Sequence, residues 1–227
     1  PLRHYAEVVL KIEPAKRNSG ISFESLAHVD DITVGHQNLV KTHIFERSHR
    51  GIIGGYELTD VKITLLTGKE HNKHTEGGDF RQATFRALRQ GLEQVENILL
   101  EPYYKFKIEI DNDHMGRVIS DIQKMNGSFN IKGSSNNKSI ISGRGPVSEF
   151  MDYPLELISF TKGRGRISFN YDGYDECHNS DKVLEIRNYD KNSDKLYTSN
   201  SIFCSKGQGY TVKGEDVKNH MHCEINI

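Results

Sequence analysis

The sequence lacks the features of a secreted, membrane-spanning or disulfide-stabilised protein. It has only three cysteines, an odd number that lies entirely near the C-terminus, so it encodes no disulfide framework. It contains no run of about 18 apolar residues, the length that crosses a bilayer, and it does not begin with an apolar signal segment. We therefore expect a cytoplasmic protein with no membrane contact. The first residue, Pro1, is not a start methionine, and we expect the chain to be a piece of a longer protein.

An excess of charge of one sign is also missing. The sequence carries 30 Lys and Arg residues against 31 Asp and Glu residues, and no long segment is strongly basic. We therefore expect no nonspecific binding of nucleic acid across a whole face, and any RNA contact would have to be local. The chain has no tryptophan and is only 35% apolar. This composition favours several small modules over one large core, because small modules expose more surface for their size.

Motifs for nucleotide binding and hydrolysis are absent as well. The sequence has no G-x-x-x-x-G-K-[ST] phosphate cradle, no G-x-S-x-G elbow and no H-E-x-x-H pair. We therefore predict no catalytic site and no cofactor site in this chain. The C-terminal part does contain residues of zinc-ligand type, namely Cys177, His178, Cys204, His220, His222 and Cys223. Their spacing lacks the close cysteine pairs of structural zinc sites, so we predict ordinary thiols and imidazoles and no metal.

Hydrophobic periodicity predicts an α+β protein whose first module, residues 1–98, has the order β-β-α-β-α. Apolar residues alternate along the three strands and recur at helical spacing along the two helices. The expected strands are Tyr5 to Glu13, Ile21 to Ser25 and Val61 to Gly68, and the expected helices run from Thr33 to Arg50 and from Phe80 to near Asn97.

The second module, residues 99–174, has the order β-α-β-β-α-β. This order is the ferredoxin-like arrangement, in which two helices cover one face of an antiparallel sheet. Residues 175–227 form a polar extension with few apolar residues, which we expect to pack on the modules. Within it, helices are predicted near Ser180 to Ile186 and Gly214 to Met221, with turn-rich residues between them. The fold class is therefore two small α/β sandwich modules with a C-terminal extension.

Two short segments are candidates for contact with RNA. The first is the tip loop, residues 69–74, which joins a strand to a long helix. Its lysines and imidazoles can contact phosphates, and histidine rings can stack on unpaired bases. The second surrounds Gly163 and Gly165, where cations follow a helix and glycines let a backbone approach closely. The candidate residues are Lys69, Glu70, His71, Asn72, Lys73, His74, Lys162, Arg164 and Arg166.

Each candidate has a simpler alternative. The tip loop can be a solvated connection between a strand and a helix, which is the usual role of such loops. The cations near Gly163 can act only on the dipole of the preceding helix, whose C-terminal end favours positive charge.

Several motifs together resemble the C-terminal domains of elongation factor G. Residues 60–68 and 79–81 are similar to its fourth domain, and residues 99–102, 115–119 and 162–165 are similar to its fifth domain. The extension from Gly173 onward resembles that of the ribosomal protection branch, the translational GTPases that confer tetracycline resistance. In that branch the tip loop usually has the sequence Tyr-Ser-Pro-Val, whereas residues 70–73 here are Glu-His-Asn-Lys.

The resemblance implies a monomeric, cytoplasmic fragment that binds the ribosome. The tip loop would enter the decoding region of the small subunit and contact its rRNA, and the fifth domain would contact large-subunit rRNA. The loops at residues 28–31 and 52–56 would flank the tip. GTP and Mg would belong to a G domain outside this chain, so that any GTPase activity is a property of the parent protein.

Two other functions remain open from the sequence. The chain can come from an elongation factor G-like paralogue that acts in translocation without drug protection. It can also be a ferredoxin-like regulator that binds a ligand at its sheet. The alternation of Lys105, Lys107 and Glu109 along one strand is a solvated pattern, which does not favour such a ligand site.

Overall fold

The computed structural model describes residues 4–135 and 137–223. The chain divides into two compact units, of which the first comprises Pro1–Asn97 and Leu184–Ile227 and the second Ile98–Val183. Both units combine helices with a small β-sheet, which confirms the predicted α+β class and its two modules. No helix in the described part of the chain is both long and apolar enough to cross a bilayer.

The first unit is built on a three-stranded sheet in the order β1-β3-β2. The central strand β3 pairs antiparallel with β1 and parallel with β2. Two helices, α1 and α2, contribute to the core together with the sheet. The strands are β1 Glu7–Pro14, β2 Ile21–Ser25 and β3 Val61–Lys69, and the helices are α1 Val34–Phe45 and α2 Gly77–Glu93. The largest fully buried side chains of this core are Val40, Ile44, Ile63, Leu65 and Phe80.

Both helices of this unit end earlier than the sequence predicts, and α2 also begins earlier, at Gly77. Helix α1 ends at Phe45 and not at Arg50, because His49 Nε2 approaches the Ile44 carbonyl at 2.9 Å and Arg50 instead forms a β-bridge with Glu57. Helix α2 ends at Glu93 and not near Asn97. In this case the amide of Asn97 donates to the Leu92 carbonyl at 2.9 Å and satisfies an acceptor of the last turn.

The second unit is a four-stranded antiparallel sheet in the order β5-β6-β4-β7. This is the predicted ferredoxin-like order, and its core joins the sheet to helices α3, α4 and α5. The second helix of the predicted β-α-β-β-α-β order is in fact two helices, with Pro154 in the first turn of the second. The strands are β4 Leu100–Asp111, β5 Ser128–Ser135, β6 Lys138–Pro146 and β7 Arg166–Glu176, and the helices are α3 Met115–Lys124, α4 Val147–Phe150 and α5 Tyr153–Phe160.

The C-terminal part contains helix α6, Ser180–Arg187, close to the predicted position. It also contains a hairpin that the sequence analysis did not predict, formed by β8 Ser201–Ser205 and β9 Gln208–Val212. The turn residues Lys206 and Gly207 both have positive φ, 50° and 80°, as tight hairpin turns require. The helix expected at Gly214 to Met221 is a 3₁₀ helix that spans Gly214–Asn219.

Candidate nucleic-acid interface

The tip loop follows the central strand of the first unit. Strand β3 ends at Lys69, and α2 begins at Gly77 a few residues later. Both elements contribute buried residues to the same core, so each end of the loop is attached to a rigid support. The side chains of Lys69, His71, Asn72 and Lys73 are exposed. The loop therefore offers two lysines, an imidazole and an amide to the solvent.

Hydrogen bonds give the tip loop a defined shape. The backbone N–H of His74 donates to the His71 carbonyl at 3.0 Å, which closes a turn. The N–H of His71 donates to the Thr75 hydroxyl at 2.7 Å, and this hydroxyl donates to the Tyr5 carbonyl at 2.6 Å. Sequence reasoning missed Thr75, because one threonine before a helix carries no distinctive signal. The loop is thus tied to the segment that leads into β1.

The two histidines of the loop stack on each other. The rings of His71 and His74 lie 4.4 Å apart between centroids, with an angle of 10° between their planes. A flat aromatic face of this kind is what single-stranded RNA recognition uses for an unpaired base. Sequence reasoning selected both residues for this chemistry, and the structure brings them together.

Glu70 differs from its neighbours because its carboxylate points into the protein. It accepts hydrogen bonds from the Thr33 N–H at 3.2 Å and the Thr33 hydroxyl at 3.1 Å, and it also contacts His36. Burial acts to raise the pKa of Glu70, but these hydrogen bonds prevail and hold the pKa below its usual value. The His36 ring in turn stacks on Phe80 at 4.6 Å. Glu70 therefore attaches the loop to α1, and its carboxylate is already used inside the protein.

The start of α2 adds a further attachment. The carboxylate of Asp79 accepts the Glu76 N–H at 2.9 Å and the Tyr5 N–H at 3.2 Å. Glu76 is the residue that precedes the helix, and Asp79 follows it by three positions. This is the spacing of a capping box, in which the later side chain accepts the backbone N–H of the earlier residue. Asp79 was part of a motif that the sequence analysis quoted, and this spacing could have identified its structural role.

The C-terminal segment reaches the base of the tip loop. Glu7, which pairs with Lys69 in the sheet, accepts the backbone N–H groups of His222 and Cys223 at 2.9 Å each. Lys69 Nζ donates to the His222 carbonyl at 3.4 Å. The side chains of His71, Asn72 and Lys73 stay exposed beside this contact. We call the contact between Glu7 and residues 222–223 the C-terminal clamp.

We expect Glu7→Gln to weaken the C-terminal clamp and to lower the free energy of unfolding by about 2 kcal/mol at pH 7. The reason is that an amide replaces a buried carboxylate that accepts several N–H groups. Burial acts to raise the pKa of Glu7, but the hydrogen bonds from His222 and Cys223 lower it overall. A lowered pKa means that this stabilisation is present above the ordinary value of 4.5 and is lost as the pH falls through the folded-state pKa. Urea unfolding of both proteins at pH 7 and pH 3 tests this, and an equal difference in stability at both pH values would contradict it.

Of the two loops expected beside the tip, only one lies there. Asp31 accepts a hydrogen bond from the Thr67 hydroxyl at 3.1 Å, near the end of β3. The loop at residues 52–56 follows Gly51, whose carbonyl accepts from Arg89 at 3.3 Å. A helix rises about 1.5 Å per residue, so Arg89 lies roughly 18 Å along α2 from Gly77, where the helix begins beside the tip loop. The expectation for residues 52–56 was therefore wrong, because the long helix carries them to the opposite end of this unit.

The second candidate segment lies in the second unit, after α5. Lys162 and Gly163 both have positive φ, 53° and 81°, and end the helix. The Gly165 N–H donates to the Thr161 hydroxyl at 2.9 Å, which holds the turn against the helix. Arg164 forms an ion pair with Asp111 at 3.2 Å. Lys162 and Arg166 are exposed, and within the described residues neither forms an ion pair, so they are the cations available to an anionic partner.

The cysteines and histidines of the C-terminal part lie at separate places in the two units. His178 is held between Glu101 at 2.6 Å and Glu149 at 3.3 Å in the second unit. His222 and Cys223 belong to the C-terminal clamp in the first unit, and Cys204 lies exposed on strand β8. In residues 4–135 and 137–223, no three potential ligands are grouped as a metal ion requires.

Comparison with known proteins gives matches along most of the chain. The family described as "Elongation factor G, domain IV" matches residues 1–96, and the family "Elongation factor G C-terminus" matches residues 98–183. The tetracycline resistance protein TetP of Clostridium perfringens is 29% identical over 194 residues, which cover 85% of this chain and 30% of TetP.

A crystal structure of a protein from Thermus thermophilus has the same fold. It aligns with a TM-score of 0.70 at 23% sequence identity, over 80% of this chain and 27% of that protein. The chain thus spans less than a third of the length of TetP and of this structure.

Proposed function

Because the chain belongs to the elongation factor G family, with domain IV at residues 1–96 and the C-terminal module at residues 98–183, we propose that it is the ribosome-binding part of a cytoplasmic translational GTPase. The sequence contains no phosphate cradle for a nucleotide. GTP and Mg therefore belong to a G domain of the parent protein outside this chain. The chain acts by binding rRNA of the small and the large subunit as a monomer.

The observation that carries this proposal is the geometry of the tip loop. It combines exposed cations, Lys69 and Lys73, with a stacked pair of imidazoles on a support of strand and helix. The cations suit phosphates, and the stacked rings suit an unpaired base. A loop held at both ends loses little conformational entropy when it binds, which favours affinity. In the second unit, Lys162 and Arg166 offer a separate contact to phosphates.

We assign the parent protein to the ribosomal protection branch. The similarity to TetP, a tetracycline resistance protein, supports this assignment. The residues after 183, which lie outside both matched families, give further support, because the protection branch carries an extension at this position. One observation favours translocation without drug protection as a second candidate. Residues 70–73 have neither the Tyr nor the Pro that is usual in the tip loop of the protection branch.

We expect His71→Ala combined with Lys73→Ala to weaken binding to 70S ribosomes about ten-fold, because it removes one stacking ring and one phosphate contact. Co-sedimentation at several salt concentrations measures this, and the salt dependence falls when a phosphate contact is lost. The free energy of unfolding should stay within about 0.5 kcal/mol of the original protein, as for exposed loop positions.

The matched control is Lys191→Ala, which removes a cation from the same unit but far along the sequence from the tip loop. It should leave ribosome binding unchanged. Ribosome binding of the tip variant equal to that of the original chain would contradict the role of the loop, and no association of the original chain with ribosomes would contradict the proposed function itself.

A drug challenge separates the two candidate functions. The full-length parent protein is expressed in a tetracycline-sensitive strain, and growth is measured over a range of drug concentrations. The protection assignment predicts growth at concentrations that stop the strain with an empty vector. Unchanged growth inhibition, with the parent protein found on ribosomes, would support translocation instead.

A further inference from the structure

The first unit contains a cleft that neither the tip loop nor the proposed function uses. It lies between α2, the start of β1 and the C-terminal hairpin, and its volume is about 410 Å³. This size is within the range of sites for small molecules, about 300–1,000 Å³. We call it the Arg86 cleft, and the lining residues that matter here are Tyr5, Ala83, Arg86, Ala87, Phe203 and Val217.

Arg86 is half-buried, and the structure shows no partner for its guanidinium among the residues that it describes. Its Nε atom is buried without a hydrogen bond, and within the described residues no carboxylate forms an ion pair with it. Burial lowers the pKa of Arg86. An arginine remains charged in proteins, so this is a partly buried positive charge that lacks its counter-charge.

Other arginines of the same helix differ from Arg86. Arg81 Nε donates to Glu46 at 2.5 Å. Arg89 also has a buried Nε atom without a hydrogen bond, but its terminal nitrogens donate to the Arg50 carbonyl at 3.1 Å and to the Tyr189 hydroxyl at 3.0 Å. The missing partner is therefore a local property of Arg86 and of the cleft that it lines.

The two carboxylates that line the cleft are engaged elsewhere. Glu7 accepts the N–H groups of the C-terminal clamp, and Asp79 accepts the N–H groups of Glu76 and Tyr5. Neither can turn to Arg86 without breaking these hydrogen bonds. Among residues 4–135 and 137–223, no carboxylate of the cleft is thus free to complement Arg86, which makes the guanidinium a suitable partner for an anion from outside.

The walls around Arg86 define the rest of the ligand. Ala83 and Ala87 lie one helical turn apart on α2, on either side of Arg86 in the sequence, and their small side chains leave room above the helix. Phe203 and Val217 supply apolar surface from the C-terminal part. An inorganic ion would leave this surface in contact with water, whereas an organic anion with an apolar body would cover it.

We propose that the Arg86 cleft binds a small amphipathic organic anion, whose acidic group pairs with the guanidinium and whose apolar body lies against Ala83, Ala87 and Phe203. The site is separate from the tip loop and does not depend on binding to the ribosome. A planar guanidinium holds a carboxylate, sulfonate or phosphate through two parallel hydrogen bonds, which fixes the orientation of the ligand.

Two fluorescent probes test the proposal on the 227-residue chain. The probe 8-anilinonaphthalene-1-sulfonate carries an acidic group, and N-phenyl-1-naphthylamine is its neutral analogue. We expect saturable binding of the anionic probe at one site. Arg86→Met should raise its Kd roughly ten-fold or more and leave the Kd of the neutral probe nearly unchanged. The matched control Arg81→Met removes a paired arginine of the same helix and should change neither value.

Two further measurements keep this test independent of folding. Thermal unfolding of Arg86→Met should occur at the temperature of the original protein or above it, because the variant loses an unpaired buried charge. NMR shift changes caused by the anionic probe should centre on the methyl groups of Ala83 and Ala87. Equal binding of the anionic probe to the original protein and to Arg86→Met, or shift changes that centre elsewhere, would overturn the proposal.

Discussion

Replacing Gly143 with alanine is expected to destabilise the second unit by about 3 kcal/mol or more. A Cβ at this position would lie 2.1 Å from the Ser128 carbonyl oxygen and 2.3 Å from the Phe106 ring. The carbonyl belongs to the paired strand β5, and the Phe106 ring is buried and stacked on Phe150 at 4.8 Å. Neither group has space to withdraw, so the strands must separate. Urea unfolding measures the loss.

The control for this substitution is Gly116→Ala in the same unit. Gly116 is in helix α3, and apart from its chain neighbours and the backbone of this helix, no described atom lies within 4 Å of the added Cβ. Alanine favours a helix over glycine by up to about 1 kcal/mol, so this variant should be as stable as the original protein or slightly more stable. Equal stability of Gly143→Ala and Gly116→Ala would contradict the packing of β5 against β6.

Phe80→Ala is expected to destabilise the first unit by about 3–5 kcal/mol, the usual loss when a large aromatic side chain is removed from a core. Phe80 is fully buried, and it stacks on His36, which contacts Glu70 at the tip loop. The substitution therefore removes core packing and loosens the support of the loop at the same time. Urea unfolding measures the first effect, and hydrogen exchange at the Thr75 amide measures the second.

Phe45→Ala provides the comparison, since its side chain is 51% exposed at the end of α1. It should cost at most about 1 kcal/mol and leave exchange at Thr75 unchanged. If Phe80→Ala were tolerated as well as Phe45→Ala, the core of the first unit would be described wrongly.

The sequence predicted the second unit well because its pattern is regular. Phe106, Ile108 and Ile110 alternate with charged residues and are buried, as a strand with one wet face requires. Val118 and Ile122 lie four residues apart and are buried from α3. In each case one local period determines which side chains enter the core, so no distant contact was needed for the prediction.

The C-terminal part could not be predicted in the same way. Strand β9 is exposed along most of its length, and only Val212 is buried. It therefore lacks the alternation that identifies a strand, and only the Lys206-Gly207 turn gave a local signal. The position of the C-terminal part in the first unit depends on contacts between residues far apart in the sequence. One of these is the hydrogen bond that the Gln90 amide donates to the Ser199 carbonyl at 2.7 Å. A pattern within a short window contains no information about such contacts.

The candidate interface was predictable in part. The positions of Lys69 and Lys73 between a strand and a helix follow from periodicity, and both side chains are exposed. The inward direction of Glu70 was not predictable, because it depends on Thr33 and His36 from another part of the chain. The missing partner of Arg86 was not predictable either, since any arginine on a helix has the same appearance in a sequence.

Crosslinking from the tip loop tests the central claim most directly. A photoreactive side chain is placed at Asn72 in the tip loop, and a second one is placed at Asn192, an exposed asparagine elsewhere in the same unit. After irradiation on ribosomes, we expect the probe at position 72 to attach to small-subunit rRNA in the decoding region and the probe at position 192 to give little of that product. Equal yields from the two positions, or attachment of position 72 to ribosomal proteins alone, would contradict the claim that this loop contacts RNA.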